Sequence, residues 1–451
     1  MGVNPSTFPR DEKDPMDSEC SHTAILLTAC LIVFVAVPAS AEDGGKSIRR
    51  HLTPSVTIEL GPARVVATSP PGERRWGRYQ FPSLMRDPKH RILLSFHVGE
   101  DAVRAYGRKG HPTYVSVDDG RTWRPLAKRD NLPRGRMFPV FNGEFLCIAS
   151  AVPLDTRKAN IALPKPVGHF VAYVRNAYFR VDQCPKKVRD YIGHLDARRW
   201  SPRTRKWTQD AVAYDTRNAL VWTRQQGEER FLIPRTLIEY SPLRIGDELI
   251  YADYRQNYLN PDGTVPRQRA VSCMVSKDNG KSFQYRTTIT VDDTGTHLSG
   301  EPMLAQSTNG DLVCVVRRSD HRLKSMAVTF SKDRGHTWEK PTDLKTLGNF
   351  GVFPRLLTLE CGVMLLSYGR PGVRLSVSPD GTGRKWTEPV VLIKGNHRRA
   401  QRESCGYTGL LSLDARSFLM VYSDFRYQDR EGKTRKAIKV RKGTIRMQPG
   451  R

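Results

Sequence analysis

The sequence lacks the features of a helical, metal-binding or nucleic-acid-binding protein. After residue 42, no long segment has the apolar spacing that marks an amphipathic helix. No two cysteines have the C-x-x-C spacing of a zinc or redox site, and no ligand cluster indicates another metal. No known nucleic-acid-binding motif is present. We therefore expect a fold without long helices, no metal or other cofactor, and no nucleic-acid partner.

Acidic residues are scarce relative to basic ones. Lys and Arg total 73 against 46 Asp and Glu, which gives a formal net charge of +27. The basic residues are spread along the chain, and the densest clusters are short, such as Arg203–Lys206. A charge of this sign favours an anionic partner, such as an acidic sugar or a polyanionic polysaccharide. A solvated basic surface is the alternative.

The longest apolar run lies near the N-terminus. It extends over Ala24–Val37, which is shorter than the roughly 20 residues of a membrane-spanning helix. A Pro and an A-x-A tripeptide ending at Ala41 follow, as in a secretory signal peptide. We predict that residues 1–41 are a signal peptide and that residues 42–451 are a secreted, periplasmic or cell-surface chain without stable membrane insertion. Acidic residues precede the run, so an uncleaved anchor is the alternative.

Export makes disulfides possible, but the cysteine pattern does not fix any pairing. Cys20 and Cys30 leave with the predicted signal peptide. Cys147, Cys273 and Cys314 lie inside apolar, strand-like runs, where a buried free thiol and a disulfide are both compatible with the sequence. The pairing stays open at this point.

One motif of the form S-x-D-x-G-x-T-W recurs along the chain. Ser116–Trp123 and Ser331–Trp338 match it fully, and Ser276–Phe283 keeps its frame. Ser378–Trp386 has one extra residue, and Ser201–Trp207 has lost the Asp and the Gly. The Asp can accept bonds from its own turn, the Gly can adopt positive φ, and the Trp can pack under the turn. Each copy is therefore predicted to be a structural turn between two strands.

Short apolar runs that follow turns surround these copies. They are typical of β-strands and comprise Arg91–Phe96, Glu144–Ala149, Asp311–Val316, Val363–Tyr368 and Ser417–Tyr422. Short strands with a turn motif at blade-like spacing favour an all-β propeller over a sandwich. Residues 151–230 fit this pattern least well, and we predict that they form an insertion or an elaborated blade.

The repeated motif resembles the Asp box, or BNR repeat, of the sialidase (neuraminidase) superfamily. The resemblance covers most of residues 75–425 and implies a six-bladed β-propeller with an exo-α-sialidase-like domain. It also implies a retaining glycosidase acting on a sugar whose anomeric carbon carries a carboxylate. In that chemistry a Tyr attacks with the help of a Glu, an Asp protonates the leaving oxygen, and three Arg bind the carboxylate. No cofactor is implied.

The resemblance assigns the catalytic roles to three residues. Tyr407, in a G-Y-T-G segment before the last strand run, matches the nucleophile, and Glu301, in a G-E-P segment, matches its base. Asp101, in the loop before the first motif copy, matches the acid, with Glu100 as the alternative. Each has an ordinary reading as well: Tyr407 as a packing aromatic, and Glu301 and Asp101 as surface loop acids.

Two arginines match the family's second and third carboxylate-binding positions. Arg317 ends a strand run, and its neighbour Arg318 is expected to point to the opposite face. Arg370 lies in a Y-G-R-P segment before the fourth motif copy, and Arg374 competes for its role.

The first carboxylate-binding position departs from the family pattern. The family has an R-I-P tripeptide where this chain has Gln80-Phe81-Pro82. The Gln80 amide can donate a hydrogen bond but carries no charge. In an extended segment Arg78 would share a face with Gln80 and could partly replace the missing charge.

The sequence therefore predicts a secreted, sialidase-like retaining glycoside hydrolase for an anionic terminal sugar. The alternative is a non-catalytic propeller that binds a polyanionic glycan or a surface partner, which Gln80 and the diffuse positive charge favour. A contact between the Tyr407 hydroxyl and the Glu301 carboxylate distinguishes the two.

Overall fold

Strands provide nearly all of the regular structure. The computed structural model describes residues 46–107, 111–172, 174–235, 240–292, 299–318, 324–348, 351–396 and 401–448. The predicted signal peptide, residues 1–41, lies outside these ranges. The described part of the chain has one α-helix and short 3-10 helices at Val103–Ala105, Lys128–Asp130, Val181–Gln183 and Lys345–Leu347. No helix in it is long and apolar enough to cross a membrane. The all-β prediction is confirmed.

The first meander of the chain is sheet A, and three strands precede it. The preceding strands are β1 (Ile48–His51), β2 (Val56–Leu60) and β3 (Arg64–Thr68). The strands of sheet A are β4 (Arg78–Arg86), β5 (Ile92–Val98), β6 (Thr113–Ser116) and β7 (Arg124–Pro125). Each strand of sheet A pairs antiparallel with the next.

The next part of the chain interleaves a second meander with an inserted sheet. Its elements are β8 (Arg136–Pro139), β9 (Phe145–Ile148), β10 (Leu154–Asp155), β11 (Gly168–Ala172), β12 (Val174–Arg180), α1 (Lys186–Gly193), β13 (His194–Ser201), β14 (Lys206–Tyr214), β15 (Ala219–Gln226) and β16 (Glu229–Leu232). Strands β8, β9, β13 and β14 form sheet B. The inserted sheet has the order β10-β16-β15-β12-β11. Residues 151–230 thus contain most of the inserted sheet together with two strands of sheet B.

Sheet C follows and is continuous with sheet B. Its region contains β17 (Leu243–Ile245), β18 (Glu248–Asp253), β19 (Asn257–Tyr258), β20 (Val271–Ser276) and β21 (Ser282–Thr290). Strands β17, β18, β20 and β21 form sheet C, whereas β19 pairs with β15 of the inserted sheet. A short parallel pairing of β14 with β21 joins sheets B and C.

Sheets D and E are regular four-stranded meanders. Sheet D consists of β22 (Gly300–Gln306), β23 (Leu312–Arg317), β24 (Ala327–Ser331) and β25 (Thr342–Asp343). Sheet E consists of β26 (Val352–Thr358), β27 (Met364–Gly369), β28 (Val373–Ser378) and β29 (Val390–Ile393).

Sheet F joins the two ends of the described chain. Its C-terminal strands are β30 (Thr408–Ser412), β31 (Ser417–Gln428) and β32 (Thr434–Met447). Strands β2 and β3 both pair with β32, and β1 pairs with β2. The N-terminal strands therefore complete the sheet that the C-terminus forms.

The first strands of most neighbouring meanders contact one another. Strand β4 contacts β8, β22 contacts β26, β26 contacts β30, and β30 returns to β4. Strand β18 of sheet C contacts β22. Meanders arranged in this way around a common axis form a β-propeller, in which first strands are innermost. The core fills the space between neighbouring sheets, as where Val313 and Val315 of sheet D meet Leu356 and Leu366 of sheet E.

The S-x-D-x-G-x-T-W copies are turns between third and fourth strands. In the first copy, the Ser116 hydroxyl donates to Asp118 Oδ1 at 2.8 Å, and the Gly120 amide donates to Ser116 Oγ at 2.9 Å. The Thr122 amide and hydroxyl both donate to the Asp118 carboxylate. The Trp123 indole N–H donates to the Gly120 carbonyl at 3.1 Å. The motif is therefore a self-bonded structural turn, as its sequence indicates.

The same turn also packs against the preceding sheet. Trp338 and Trp386 donate to box glycine carbonyls at 3.2 and 2.8 Å. Gly335 has a φ of +88°, and a Cβ there would lie 2.8 Å from Cys273 Sγ on sheet C. Only glycine fits both the backbone conformation and this close approach. The turns thus lock neighbouring sheets together, away from the innermost strands.

The cysteines in the described ranges are all free thiols. Cys147, Cys273 and Cys314 are buried and form no disulfide. Burial raises the pKa of the Cys273 thiol to about 12, so that it stays protonated. Of the two alternatives left open by the sequence, the structure has the buried free thiol at these positions.

Candidate active site

The candidate residues meet at one end of the innermost hairpins. In an antiparallel pair, the start of the first strand lies opposite the end of the second. Gly300 accordingly pairs with Arg317 in sheet D, which brings Glu301 and Arg317 to the same end of that sheet. Arg370 follows β27 and Tyr407 precedes β30, so both occupy matching places in sheets E and F.

Three repeated bulges converge on the Tyr407 ring. Phe81, Glu301 and Phe353 each precede a proline, and each has a positive φ, of 52°, 44° and 47°. Strand pairing shifts register at each of these places. The Phe81 ring lies 4.7 Å from the Tyr407 ring, and the Phe353 ring stacks on it at 4.5 Å, between centroids. Such unusual backbone at matching points is typical of functional sites.

Glu301 is the centre of the hydrogen-bonding network. The Tyr407 hydroxyl donates to Glu301 Oε1 at 2.6 Å, and Arg317 Nη1 donates to the same oxygen at 2.7 Å. The Phe353 backbone amide donates to Glu301 Oε2 at 3.1 Å. The side chains of Glu301 and Arg317 are only 11% and 4% exposed. Glu301 is therefore a nearly buried carboxylate with three donors rather than a surface loop acid.

The surroundings set opposite protonation states for Tyr407 and Glu301. Burial alone would raise the pKa of the Glu301 carboxyl, but the charge of Arg317, the bonds from Tyr407 and Arg317, and the charge of Arg370 hold it below its usual value. Burial and the Glu301 charge raise the pKa of Tyr407 well above its usual range. At neutral pH the pair is a phenol and a carboxylate. Such a carboxylate can take the phenol proton when the phenol oxygen attacks.

Arg370 lies beside the Tyr407 ring. Its guanidinium carbon is 5.4 Å from the Tyr407 ring centroid and 5.3 Å from that of Trp76, both within cation–π range. Its Nε donates to the Cys405 carbonyl at 3.0 Å, and the residue is 5% exposed. Two guanidinium groups, those of Arg317 and Arg370, therefore flank the Tyr407–Glu301 pair.

The two competing arginines lie elsewhere. Arg318 forms an ion pair with Asp343 of sheet D, as expected for a strand neighbour that faces away from Arg317. Arg374 lies on β28, the third strand of sheet E, opposite Tyr368 of β27. The Arg374 guanidinium lies close to Gly348, where an added Cβ would contact it. Gly348 follows β25, the last strand of sheet D, so Arg374 lies near the outer part of that sheet.

Asp101 is held by two aromatic side chains. Its Oδ2 accepts from the Trp76 indole N–H at 2.8 Å, and its Oδ1 accepts from the Tyr106 hydroxyl at 3.2 Å. Trp76 thus bridges Asp101 and the Arg370 guanidinium. The alternative acid, Glu100, instead forms an exposed ion pair with Arg104 at 2.6 Å. The structure brings Asp101 to the edge of the Tyr407 centre without direct contact.

Gln80 is fully buried, and the arrangement around it differs from the extended strand considered above. Neither its amide nitrogen nor its amide oxygen has a hydrogen-bond partner in the described ranges. Pairing shifts on both sides of Gln80, and Tyr79 has a φ of 55°, so side chains do not simply alternate. Arg78 lies 3.9 Å from the Glu73 carboxylate and is 39% exposed. The structure therefore does not bring Arg78 to the environment of Gln80.

A further guanidinium, from outside the predicted set, lies beside Gly300, the residue before Glu301. Arg269 packs 5.0 Å from the Tyr254 ring centroid, and its Nε donates to the Ser299 carbonyl at 3.2 Å. A Cβ added at Gly300 would collide with the Arg269 guanidinium. Sequence reasoning missed Arg269 because it lies in a connection of sheet C without a family motif.

No part of the site resembles a metal centre. In the portion of the chain that the structure describes, no group of His, Cys, Asp and Glu could hold a metal ion. The groups at Tyr407 are its own phenol, the Glu301 carboxylate and the guanidinium ions of Arg317 and Arg370, with the Asp101 carboxylate at the edge. Their chemistry is acid–base, nucleophilic and anion-binding.

Comparisons with known proteins support the repeat and the fold. A model of the BNR repeat-like domain matches residues 196–420. A protein of unknown function from Dyadobacter fermentans has 17% sequence identity, covering 86% of this chain and 99% of its own, with a TM-score of 0.53. A GH93 α-L-arabinofuranosidase of Fusarium graminearum, solved with arabinobiose, has 13% identity, 88% and 98% coverage, and a TM-score of 0.50.

A sialidase structure is also among the matches. NanB sialidase from Streptococcus pneumoniae has 12% identity, with coverage of 85% of this chain and 70% of its own, and a TM-score of 0.46. No curated protein matches the sequence significantly. At these identities, the structural likeness concerns the fold alone.

Proposed function

We propose that this chain, which is a BNR-repeat protein of the sialidase superfamily, is a retaining exo-glycosidase that removes an anionic, sialic-acid-like sugar from a glycan. The observation that carries the proposal is the 2.6 Å bond from Tyr407 to Glu301, with Arg317 on the same carboxylate oxygen. Burying a carboxylate and a guanidinium has a high desolvation cost. A purely packing role for Tyr407 leaves that cost unexplained.

The proposed reaction proceeds in two displacements. The Tyr407 oxygen attacks the anomeric carbon and passes its proton to Glu301, while the bond to the leaving oxygen breaks and Asp101 protonates that oxygen. Water then attacks the anomeric carbon and gives a proton to Asp101, while the bond from that carbon to the Tyr407 oxygen breaks and Tyr407 regains its proton from Glu301. Two inversions retain the anomeric configuration. A neutral phenol also avoids the repulsion that a carboxylate nucleophile would meet beside an anionic substrate.

The anionic preference rests on the arginines. Arg317 and Arg370 flank Tyr407, and Arg269 stands beside Gly300. Guanidinium groups bind carboxylates through charge-assisted bonds. The fold alone does not decide the sugar, because one of the similar structures is an arabinofuranosidase. The uncharged Gln80 makes the carboxylate clamp weaker than that of the family pattern.

The finer architecture is part of the same proposal. We assign one blade to each of sheets A to F, which makes six blades, with the inserted sheet as an addition. The pairing of β2 and β3 with β32 then closes the ring within the last blade. An experimental structure with another number of sheets around the axis would contradict this assignment.

Export is proposed on sequence grounds. A chain that acts on extracellular glycans needs to leave the cytoplasm, and the pattern ending at Ala41 supplies a cleavage site. N-terminal sequencing of the secreted protein is expected to start at Glu42. Recovery of a membrane-held chain that starts at Met1 would favour an anchor.

A second candidate function is a non-catalytic glycan-binding propeller. Its support is Gln80, which is buried, uncharged and without a hydrogen-bond partner in the described ranges. A site that only binds has no need for a nucleophile, so this candidate predicts that Tyr407→Phe has little effect on any function.

A panel of chromogenic glycosides separates the two candidates. The panel includes sialosides, uronosides and arabinofuranosides, each tested with wild type and Tyr407→Phe. We expect turnover of a carboxylated glycoside and a loss on the order of 10³-fold or more in the variant, with an unchanged melting temperature. If no glycoside is cleaved while a glycan array shows binding, the non-catalytic candidate holds. If only neutral glycosides are cleaved, the anionic preference is wrong.

A further inference from the structure

A groove lies between the outer strands of sheet B and the connection that joins sheet A to sheet B. It consists of two adjoining cavities of about 470 Å³ and 350 Å³. Leu132, Arg198 and Trp207 line both cavities, and Trp200 lines the smaller one. None of the residues of the candidate active site lines either cavity. We call this feature the tryptophan groove.

Trp207 has a different role from the tryptophans of the intact repeats. It ends the degenerate copy and lies at the start of β14, where it pairs across the hairpin with Trp200 of β13. In the intact copies the indole N–H donates to the carbonyl of the box glycine, as Trp123 does to Gly120. The degenerate copy has no such glycine, and the Trp207 N–H bonds to no residue that the structure describes. Its ring packs on one side against the cluster of Met137 and Cys147 and lines the groove with the rest of its surface.

The groove is positively charged. Arg134 and Arg198 line the larger cavity, and Arg198, Arg205 and Lys206 line the smaller one. All four are exposed, and none forms an ion pair with a carboxylate in the described segments. Asp196 is an acid on the larger cavity. The basic side chains outnumber it and leave the groove cationic.

The other acid at the groove is already neutralised. Asp130 lines the smaller cavity, but its carboxylate is bonded to Arg91 and Arg124 at 2.7 and 2.8 Å. These contacts hold the pKa of Asp130 far below its usual value, so it remains a bound counter-ion of the two arginines. The charge that a ligand meets in the groove is thus set by the unpaired basic residues.

We propose that the tryptophan groove is a second glycan-binding site, which holds internal units of an acidic polysaccharide. Indole faces pack against the apolar faces of sugar rings, and the guanidinium and ammonium groups bind the anionic substituents. The site takes no part in bond cleavage and goes beyond the proposed function. By keeping a polymer tethered, it raises the local concentration of chain ends near the propeller. Carboxylated and sulfated polysaccharides share the required chemistry.

Binding is measured in the Tyr407→Phe background. This variant is expected not to consume the probes, and the release of free sugar is measured in each titration, so that the binding result does not depend on whether the proposed reaction is correct. The probes are polysialic acid, polygalacturonate, chondroitin sulfate and neutral dextran, each titrated by calorimetry. We expect binding of at least one acidic polymer, none of dextran, and weaker binding as salt rises from about 0.05 M to about 0.5 M. The acidic polymer that binds tells the carboxylated and sulfated sources apart.

Two groups of variants test the groove itself. Trp207→Ala and the double variant Arg198→Gln/Arg205→Gln are each expected to weaken polymer binding roughly tenfold or more. Trp207→Phe retains an aromatic face and is expected to keep most of the affinity. The matched control, Lys345→Gln/Lys385→Gln, removes two exposed charges outside the groove and is expected to change affinity less than about twofold.

Several outcomes would overturn the proposal. They are equal affinities of Trp207→Ala and the background protein, equal losses in the arginine variant and the lysine control, and no binding of any acidic polymer. Equally tight binding of a single-stranded DNA of matched charge would show a general polyanion surface instead. If Trp207→Ala fails to fold, the arginine variant against its lysine control decides the question.

Discussion

Replacing Glu301 by Gln tests stability and catalysis at the same atoms. Gln keeps the shape of the side chain but removes the charge that faces Arg317, whose side chain is 4% exposed. Removing one partner of a buried ion pair costs about 3–5 kcal/mol, because the other charge stays desolvated. The Gln amide oxygen can still accept from Arg317, so we expect a loss near the lower end, about 3 kcal/mol.

Two further variants test whether the unpaired charge of Arg317 causes this loss of stability. In Glu301→Gln/Arg317→Met the unpaired charge is gone, so most of the lost stability is expected to return while turnover stays low. The matched control is Glu339→Gln, which breaks the ion pair of Glu339 with Arg384. The side chains of these two residues are 42% and 41% exposed. An exposed pair contributes about 0–1 kcal/mol, so this control is expected to unfold almost as wild type does.

Urea unfolding, monitored by tryptophan fluorescence, gives the free energy of unfolding of each variant. Turnover of the identified glycoside gives the activity. The comparison requires unchanged m-values, which indicate that the unfolded state is the same in each variant. Equal stability of Glu301→Gln and wild type would refute the buried pair. Full turnover by Glu301→Gln would refute its role as the base.

Three further predictions address the repeats, the clamp and the pH dependence. Trp123→Ala and Trp338→Ala are each expected to lower the free energy of unfolding by about 3 kcal/mol, the low end for Trp→Ala, because both rings are only partly buried. Differential scanning calorimetry checks this, and a larger effect on ligand affinity than on melting temperature would mean that the boxes are functional. Gln80→Arg is expected to tighten binding of a carboxylated sugar by about 1.5–3 kcal/mol in calorimetry, and an unchanged affinity would remove position 80 from the clamp. The folded-state pKa of Glu301 is lowered, so its charged carboxylate stabilises the folded protein. This contribution to the free energy of unfolding is complete above the unfolded-state pKa of about 4.3 and is lost as pH falls through the folded-state pKa. The difference in unfolding free energy between wild type and Glu301→Gln should therefore shrink in acid, and a constant difference from pH 7 to about pH 3 would contradict the lowered pKa.

The sequence was informative where structure is local. A self-bonded turn needs only a few neighbouring residues, so the Ser116–Trp123 copy could be recognised and given its role. The same holds for strands such as β23 and for the placement of Glu301 and Arg317, because hairpin pairing brings the two ends of neighbouring strands together. Tyr407 and Glu301 came from different sheets, and only the family motifs linked them.

Contacts between residues of different sheets could not be predicted from the sequence. The Trp76–Asp101 bond and the stacking of Phe353 on Tyr407 join distant parts of the chain, and neither leaves a periodic pattern. A repeated signal was nevertheless present, since Phe81, Glu301 and Phe353 all precede proline. The bulges at these positions also explain why strand alternation failed to place Arg78 beside Gln80.

If Tyr407 is the nucleophile, it forms a covalent bond to the sugar, and peptide mapping can locate that bond. A substrate with fluorine beside the anomeric carbon and a good leaving group slows hydrolysis of the intermediate more than its formation, so that the intermediate accumulates. Rapid quenching, proteolysis and mass spectrometry then locate the added sugar. We expect the sugar on the peptide that contains Tyr407, and no adduct in Tyr407→Phe. An adduct on Asp101 or any other residue, or wild-type turnover by Tyr407→Phe, would contradict it.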